Sequence, residues 1–229
     1  INTRNIAVSA DGRYIMAGNM LPHTLVVLDA RDLAPIKVIA VGDGKTTSRV
    51  SAVYTAPPRN SFIAALKDIP EIWVMSYEDD PKPVPRGLVH NYTPGQEEGD
   101  FDRGPFPVRR IKLDDYLDDF FFDQSYTHLV GAARNAKGGQ VVNLNVGRKI
   151  ADIDLAGMPH LGSGITFRFD GRPVLATPHL KDGVVSIIDM ATWKTIKRIE
   201  TLGPGFFMRS HANSPYAWVD VFFGPHKDA

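Results

Sequence analysis

His160 is the lone histidine of the segment Asp154-Leu-Ala-Gly-Met-Pro-His160-Leu-Gly-Ser-Gly164. A histidine's ordinary pKa of about 6.5 lets it exchange protons near neutral pH, and a bare ring nitrogen can ligate iron. Glycines on either side allow a ligand to approach the backbone closely. A second group is acidic: Asp114, Asp115, Asp118 and Asp119 precede the aromatic run Phe120-Phe121-Phe122. A carboxylate buried against a ligand rises in pKa and can serve as an acid or base. Asp118 is the strongest of the four for that role, whereas Asp114 and Asp115 read as a solvated acidic loop. A third group comprises Arg49, Tyr54 and Arg134, with Phe121, Phe206, Phe207 and Arg209. Arginine forks match carboxylates bidentately, and aromatic rings offer stacking faces. Together these residue types suit a flat, apolar, polyanionic ligand.

Several other chemistries are excluded. The 229-residue chain has a formal net charge of zero and a pI near 7.2, so electrostatics argues against a nucleic-acid partner. No apolar run reaches the ~18 residues of a membrane span. With no cysteine there are no disulfides, thiol nucleophiles, zinc-thiolate sites or c-type haem attachments in this chain. There is no Gly-x-Ser-x-Gly elbow, phosphate-cradling glycine loop or His-Glu-x-x-His pair.

The elements that must position these side chains come from an internal repeat. One unit reads Val8-Ser-Ala-Asp-Gly-Arg-Tyr14, then Thr24-Leu-Val-Val-Leu-Asp29, then Ala34-Pro-Ile-Lys-Val-Ile39. A second reads Phe167-Arg-Phe-Asp-Gly-Arg172, Val184-Val-Ser-Ile-Ile-Asp189 and Lys194-Thr-Ile-Lys-Arg-Ile199. Weaker copies begin near Pro58, Phe122 and Asn213. Each unit holds four short runs of β-branched and aromatic residues parted by Gly, Asp, Asn and Pro, and no window has a helical period. The turn markers Asp11, Arg59, Asp123, Asp170 and Ser214 recur at 44 to 48 residues, with one gap of 64. Four strands in about 40–50 residues is the repeat of a β-propeller blade.

The expected fold is therefore all-β: a single β-propeller domain over 1–229, with about four to five blades of a larger ring. A start at Ile1 and a stop inside a fifth repeat predict a chain incomplete at both ends. The long gap falls in 79–106, which is rich in Pro and Gly, lacks periodicity and reads as a loop inserted between the third and fourth strands of its blade. In a propeller, ligands collect where each blade's outermost strand crosses to the next blade's innermost strand. The predicted crossings are Val41–Val53, Leu113–Phe121, Leu155–Ile165 and Leu202–Ser210, and they carry most of the residues above. Turns between second and third strands add His23, Lys67, Arg134 and His179. His179 and His211 read as scaffold histidines, and His90 as a solvated residue of the insertion.

With these residues in place, the sequence resembles the haem d1-binding propellers. The segments that carry the likeness are Val8–Tyr14, Tyr54-Thr-Ala-Pro-Pro-Arg59, Gly131-Ala-Ala-Arg134, Met158-Pro-His-Leu161, Ala176-Thr-Pro-His-Leu180, Phe207-Met-Arg-Ser-His211 and Tyr216-Ala-Trp-Val-Asp220. They span essentially the whole chain. The resemblance implies a ring of about eight blades, a haem d1 or dihydro-haem d1 ligand, and a periplasmic location. It implies cofactor-binding roles for Arg49, Tyr54, Arg134, Phe121 and Phe207, and makes His160 a catalytic residue or a distal iron ligand. A haem c is expected only in a domain outside this chain. The family's nitrite reductases place a second histidine over the iron, and Asp118 stands in the matching segment here. That departure turns the resemblance toward the dihydro-haem d1 dehydrogenase branch. Those enzymes desaturate a haem propionate, with a c-type cytochrome as electron acceptor and other haem d1 biosynthesis proteins as partners. Nitrite reduction, or a non-catalytic carrier or scaffold role, is the alternative.

Overall fold

The computed structural model describes residues 2–90, 97–134, 138–155 and 160–228. Met158 and Pro159 of the Met158–Leu161 segment, and Pro94 and Gly95 of the insertion, lie outside the described residues. The chain forms two compact units, Ile1–Leu113 and Asp114–Ala229. Among the described residues every regular element is a β-strand except two short 3-10 turns, Pro57–Arg59 and Leu161–Ser163.

In the first unit, β1 (Asn2–Val8), β2 (Tyr14–Leu21), β3 (Thr24–Asp29) and β4 (Pro35–Ala40) form an antiparallel sheet in that order. β5 (Val50–Ala56), β6 (Ser61–Leu66) and β7 (Glu71–Ser76) begin a second sheet. The chain then leaves it through β8 (Val84–His90) and β9 (Glu97–Asp102) and returns as β10 (Val108–Lys112), which pairs with β7. The insertion thus sits between the third and fourth strands of its blade. It is not a strandless loop: β8 and β9 pair as a hairpin, which Pro and Gly punctuation hid from a periodicity search. β6 is buried at all six positions because apolar layers cover both of its faces. Gly18 lets β2 meet β5, since a Cβ there would lie 2.6 Å from a Val53 methyl carbon. Asn5 completes the junction: its side-chain nitrogen donates to the Val53 carbonyl at 2.7 Å, and its oxygen accepts from the Val53 amide at 3.1 Å.

The second unit repeats the plan twice and begins it a third time. One sheet holds β11 (Leu117–Phe122), β12 (His128–Ala133), β13 (Gly139–Asn143) and β14 (Arg148–Ile153). The next holds β15 (Ile165–Phe169), β16 (Arg172–Pro178), β17 (Val184–Asp189) and β18 (Lys194–Glu200). β19 (Met208–Ser210) and β20 (Ala217–Val219) form the last pair. Val130, Val141, Leu161, Leu175 and Ile188 fill one core cluster, and Val174, Ala176, Val185, Ile187 and Met208 another.

Turn chemistry accounts for the joints. Asp170 and Gly171 both have positive φ, 48° and 76°, and close the two-residue turn between Phe169 and Arg172. The same dipeptide at Asp11-Gly12 makes a wider turn. There only Gly12 has positive φ, and the Asp11 carboxylate accepts from Ser9 Oγ at 2.6 Å and the Arg13 amide at 3.0 Å. Between third and fourth strands, Asp29, Asn143 and Asp189 each accept an amide hydrogen bond from the residue two positions on.

Phe62 is fully buried, and its ring lies 5.0 Å from that of Tyr77. Phe62→Ala is expected to cost the intact protein about 3–5 kcal/mol, read as a lower urea midpoint with circular dichroism.

Candidate functional site

His160 follows β14 and opens the 3-10 turn Leu161–Ser163, which packs against β11, β12 and β16 of its own unit. Its backbone amide donates to the Pro178 carbonyl at 2.9 Å, pinning the crossing loop to the end of β16. The imidazole is half-buried. Nδ1 lies 2.7 Å from Ser163 Oγ and 2.7 Å from the Phe206 carbonyl oxygen. A carbonyl oxygen only accepts, so the proton of this contact belongs to Nδ1, and the neutral ring carries its lone pair on Nε2. Around the imidazole stand Phe206, with centroids 4.2 Å apart, and Phe207, at 6.4 Å. Phe207 is 45% exposed and offers an open ring face. Phe222 and Phe223 extend this aromatic group through Phe206, and the Arg209 guanidinium lies 5.6 Å from the Phe207 centroid.

Arg134 lies just past β12, in the turn between second and third strands, as the sequence pattern predicts. Its Nε donates to Asp118 Oδ2 at 2.9 Å, and its Nη2 donates to Asp118 Oδ1. The guanidinium sits 4.8 Å from the Tyr116 ring centroid. The structure therefore brings two of the expected site residues into one bidentate pair. Asp118 lies in strand β11 rather than in the crossing loop. Phe121 is also on β11, half-buried against the cluster that contains Leu161 and Trp193. Asp114 is exposed and raises the pKa of Lys149 by hydrogen bonding to it, ahead of the contribution from Asp152. Asp115 corrects the expectation of a solvated acidic loop. It is only 9% exposed; Oδ1 accepts from the Tyr116 amide at 2.7 Å, and its carbonyl accepts from Gln140 Nε2 at 3.0 Å. His179 is buried, with Nε2 2.9 Å from Ser186 Oγ.

The remaining expected residues belong to the first unit. Tyr54 is half-buried within β5, opposite Ile63, and not in the preceding loop. Arg49 ends the crossing from β4 and forks onto Asp68: Nη2 donates to Oδ1 at 2.6 Å, Nε donates to Oδ2 at 2.9 Å, and the Arg49 amide also donates to Oδ2. These donors, the guanidinium hydrogen bonds first, hold the Asp68 pKa at about 2. Sequence reasoning missed Asp68, Ser163 and Asp220. Asp68 could have been sought because it shares a turn with Lys67 on the face already singled out. Ser163 follows His160 by three residues, and Asp220 closes the Tyr216–Asp220 segment. Nothing in their residue types alone marked a role.

Four-stranded antiparallel sheets repeated along the chain define an all-β propeller. The same fold is seen in the Cps50 (Swd1) β-propeller domain of Myceliophteria thermophila, with a TM-score of 0.58 and 10% identity over 96% of this chain and 62% of that one. The chain belongs to the cytochrome D1 heme domain family, whose model matches residues 1–92 and 99–229. It is 50% identical to dihydro-heme d1 dehydrogenase from Pseudomonas aeruginosa over 100% of this chain and 42% of that protein. A solved structure of dihydro-heme d1 dehydrogenase NirN in complex with DHE superposes with a TM-score of 0.83, covering 98% of this chain and 43% of that one. Nitrite reductase from Stutzerimonas stutzeri is 27% identical over 95% of this chain and 38% of its own length. The chain thus spans about two-fifths of the relatives it matches.

Folding lowers the Asp68 pKa from an unfolded value of about 3.9 to about 2. The Arg49–Asp68 stabilisation is therefore fully present above about pH 4 and is lost as the pH falls through about 2. Because Arg49 is 41% exposed, solvent screening holds the pair to about 1 kcal/mol. Arg49→Ala should lower the urea midpoint at pH 7, and that effect should fade as the pH falls through about 2.

Proposed function

We propose that this chain is the haem d1-binding propeller portion of an oxidoreductase that converts dihydro-haem d1 to haem d1 by desaturating one propionate side chain. The observation that carries this reading is the His160 geometry: Nδ1–H is committed to the Phe206 carbonyl, Nε2 keeps its lone pair, and the open face of Phe207 lies alongside. Membership of the haem domain family and the 50% identity to a dihydro-heme d1 dehydrogenase support it. The donor set fits a tetrapyrrole: a bare imidazole nitrogen for iron or a proton, an exposed ring for stacking, and the guanidinium of Arg134 for a carboxylate.

The reaction removes one hydrogen from each of two adjacent saturated carbons and leaves a carbon–carbon double bond. Two protons and two electrons depart. One proton goes to His160 Nε2 and the other to solvent, while the electrons pass singly to two equivalents of a one-electron acceptor such as a c-type haem protein. Were it to ligate the iron, the same Nε2 would instead hold the substrate. Arg134 orients a haem carboxylate, with Asp118 keeping the fork flat against Tyr116 until the substrate arrives. Phe121, on the same strand as Asp118, takes a supporting role toward the macrocycle. A periplasmic setting, with other haem d1 biosynthesis proteins as partners, follows from the same reading. Nitrite reduction is disfavoured because Asp118, where a second distal histidine would stand, is engaged by Arg134.

The intact protein, mixed with dihydro-haem d1 and an oxidised one-electron acceptor, should convert the absorption spectrum to that of haem d1. Binding without conversion would leave a carrier, and no binding would end the haem reading. His160→Ala should lower turnover about a hundredfold or more, whereas His90→Ala, in the inserted hairpin, should retain it. An altered substrate-bound spectrum in His160→Ala assigns ligation; an unaltered spectrum with lost turnover assigns the base.

A further inference from the structure

Two polar side chains meet the Phe206 peptide groups beside the His160 ring. Ser163 is 4% exposed, and its Oγ lies 2.6 Å from the Phe206 carbonyl oxygen and 2.7 Å from His160 Nδ1. Asp220 Oδ1 accepts from the Phe206 amide at 2.7 Å and from the Phe207 amide at 2.9 Å. Gly205 makes that approach possible, since a Cβ there would come within 2.8 Å of the Asp220 carbonyl oxygen.

We propose that Asp220 is the positioning residue of His160: by fixing the Phe206 carbonyl it imposes the Nδ1–H tautomer and leaves Nε2 bare before any ligand binds. This rests on the reading of His160 as the residue that meets the tetrapyrrole.

The proton inventory leads there. The Phe206 oxygen has two lone pairs and two short donors, Nδ1–H and Oγ–H. Were Nδ1 bare, Ser163 could donate to it. The carbonyl oxygen would then face the ring lone pair at 2.7 Å with no proton between them. The isolated imidazole side chain favours the opposite tautomer, which would present an N–H to the ligand and could neither take a proton nor bind iron. The cradle reverses that preference. Asp220 holds the carbonyl in place by fastening both amides of the Phe206-Phe207 turn. Asp220 also donates its own amide to the Phe207 carbonyl at 3.2 Å, so the turn is tied in both directions.

The test is heteronuclear NMR of the intact, ligand-free protein carrying ring-nitrogen-labelled histidine, at about pH 8. The His160 signals are identified by their loss in His160→Gln. Wild type should show a protonated Nδ1 and a bare Nε2. Ser163→Ala removes the hydroxyl that could donate to a bare Nδ1, so the Nδ1–H form should persist in it. Asp220→Ala should shift His160 toward the Nε2–H form, while Asp220→Asn, which keeps the accepting oxygen, should not. In turnover, Asp220→Ala should lower kcat about ten- to a hundredfold, with KM changed less than about twofold. An Nε2–H tautomer in wild type, or a tautomer indifferent to Asp220→Ala, overturns the proposal. If the tautomer responds as stated but wild type does not convert dihydro-haem d1, the positioning stands and the functional reading falls. If turnover requires His160 but the tautomer is indifferent, the reverse holds.

Discussion

Sheets that are apolar on both faces govern this structure. A lone four-stranded sheet with β6 at its centre would expose Phe62, Ile63 and Leu66 on one side or the other, and all three are fully buried. Burial at ~25 cal/mol per Å² of apolar surface makes a covering layer on each face obligatory. In the first unit, Met16, Leu25, Val50, Val53, Phe62 and Met75 form one cluster between two sheets. In the second, the β16–β17 sheet contributes to a cluster on each side. Stacking blades is how a repeat of this composition removes its strands from water.

That constraint pushes chemistry to the ends of the strands. Blade interiors have no room for a ligand, and the unpaired backbone groups of crossings and turns are available to hold side chains. The Phe206 carbonyl shows the consequence. It lies on a crossing, outside any sheet ladder, and so can collect Nδ1–H of His160 and Oγ–H of Ser163. The crossing is short and fastened at each end: the Gly205 amide donates to the His179 carbonyl, and the Phe206 and Phe207 amides donate to Asp220. Arg134 and Asp118 follow the same pattern, with a turn residue clamped by a strand residue above an aromatic ring.

Strand chemistry and the turn markers were legible because they are local. β-branched runs parted by Asp, Asn and Gly report backbone preference directly, and the repeat multiplied the signal. His160 was legible as a chemically competent residue in a glycine-flanked loop. The hairpin of 79–106 was not, because its strands carry Pro85, Gly87 and Gly99 and lack alternation. Nor was the boundary that places Tyr54, Asp118 and Phe121 inside strands, because neighbouring strands decide where a ladder begins. Asp115 illustrates the same limit: an acidic run looks solvated, yet Gln140 and the Tyr116 amide enclose this one member.

The sequence by itself determined the blade repeat and the kinds of side chain its connections carry, since each depends on residue type and spacing. Only the tertiary structure decided who partners whom. Arg49 with Asp68, Arg134 with Asp118, and His160 with Ser163 and a carbonyl from a different crossing are pairings made by chain segments that meet through packing. The imidazole tautomer is the sharpest instance. Both ring nitrogens are equivalent candidates in the sequence, and a single acceptor oxygen 46 positions away in the chain assigns the proton.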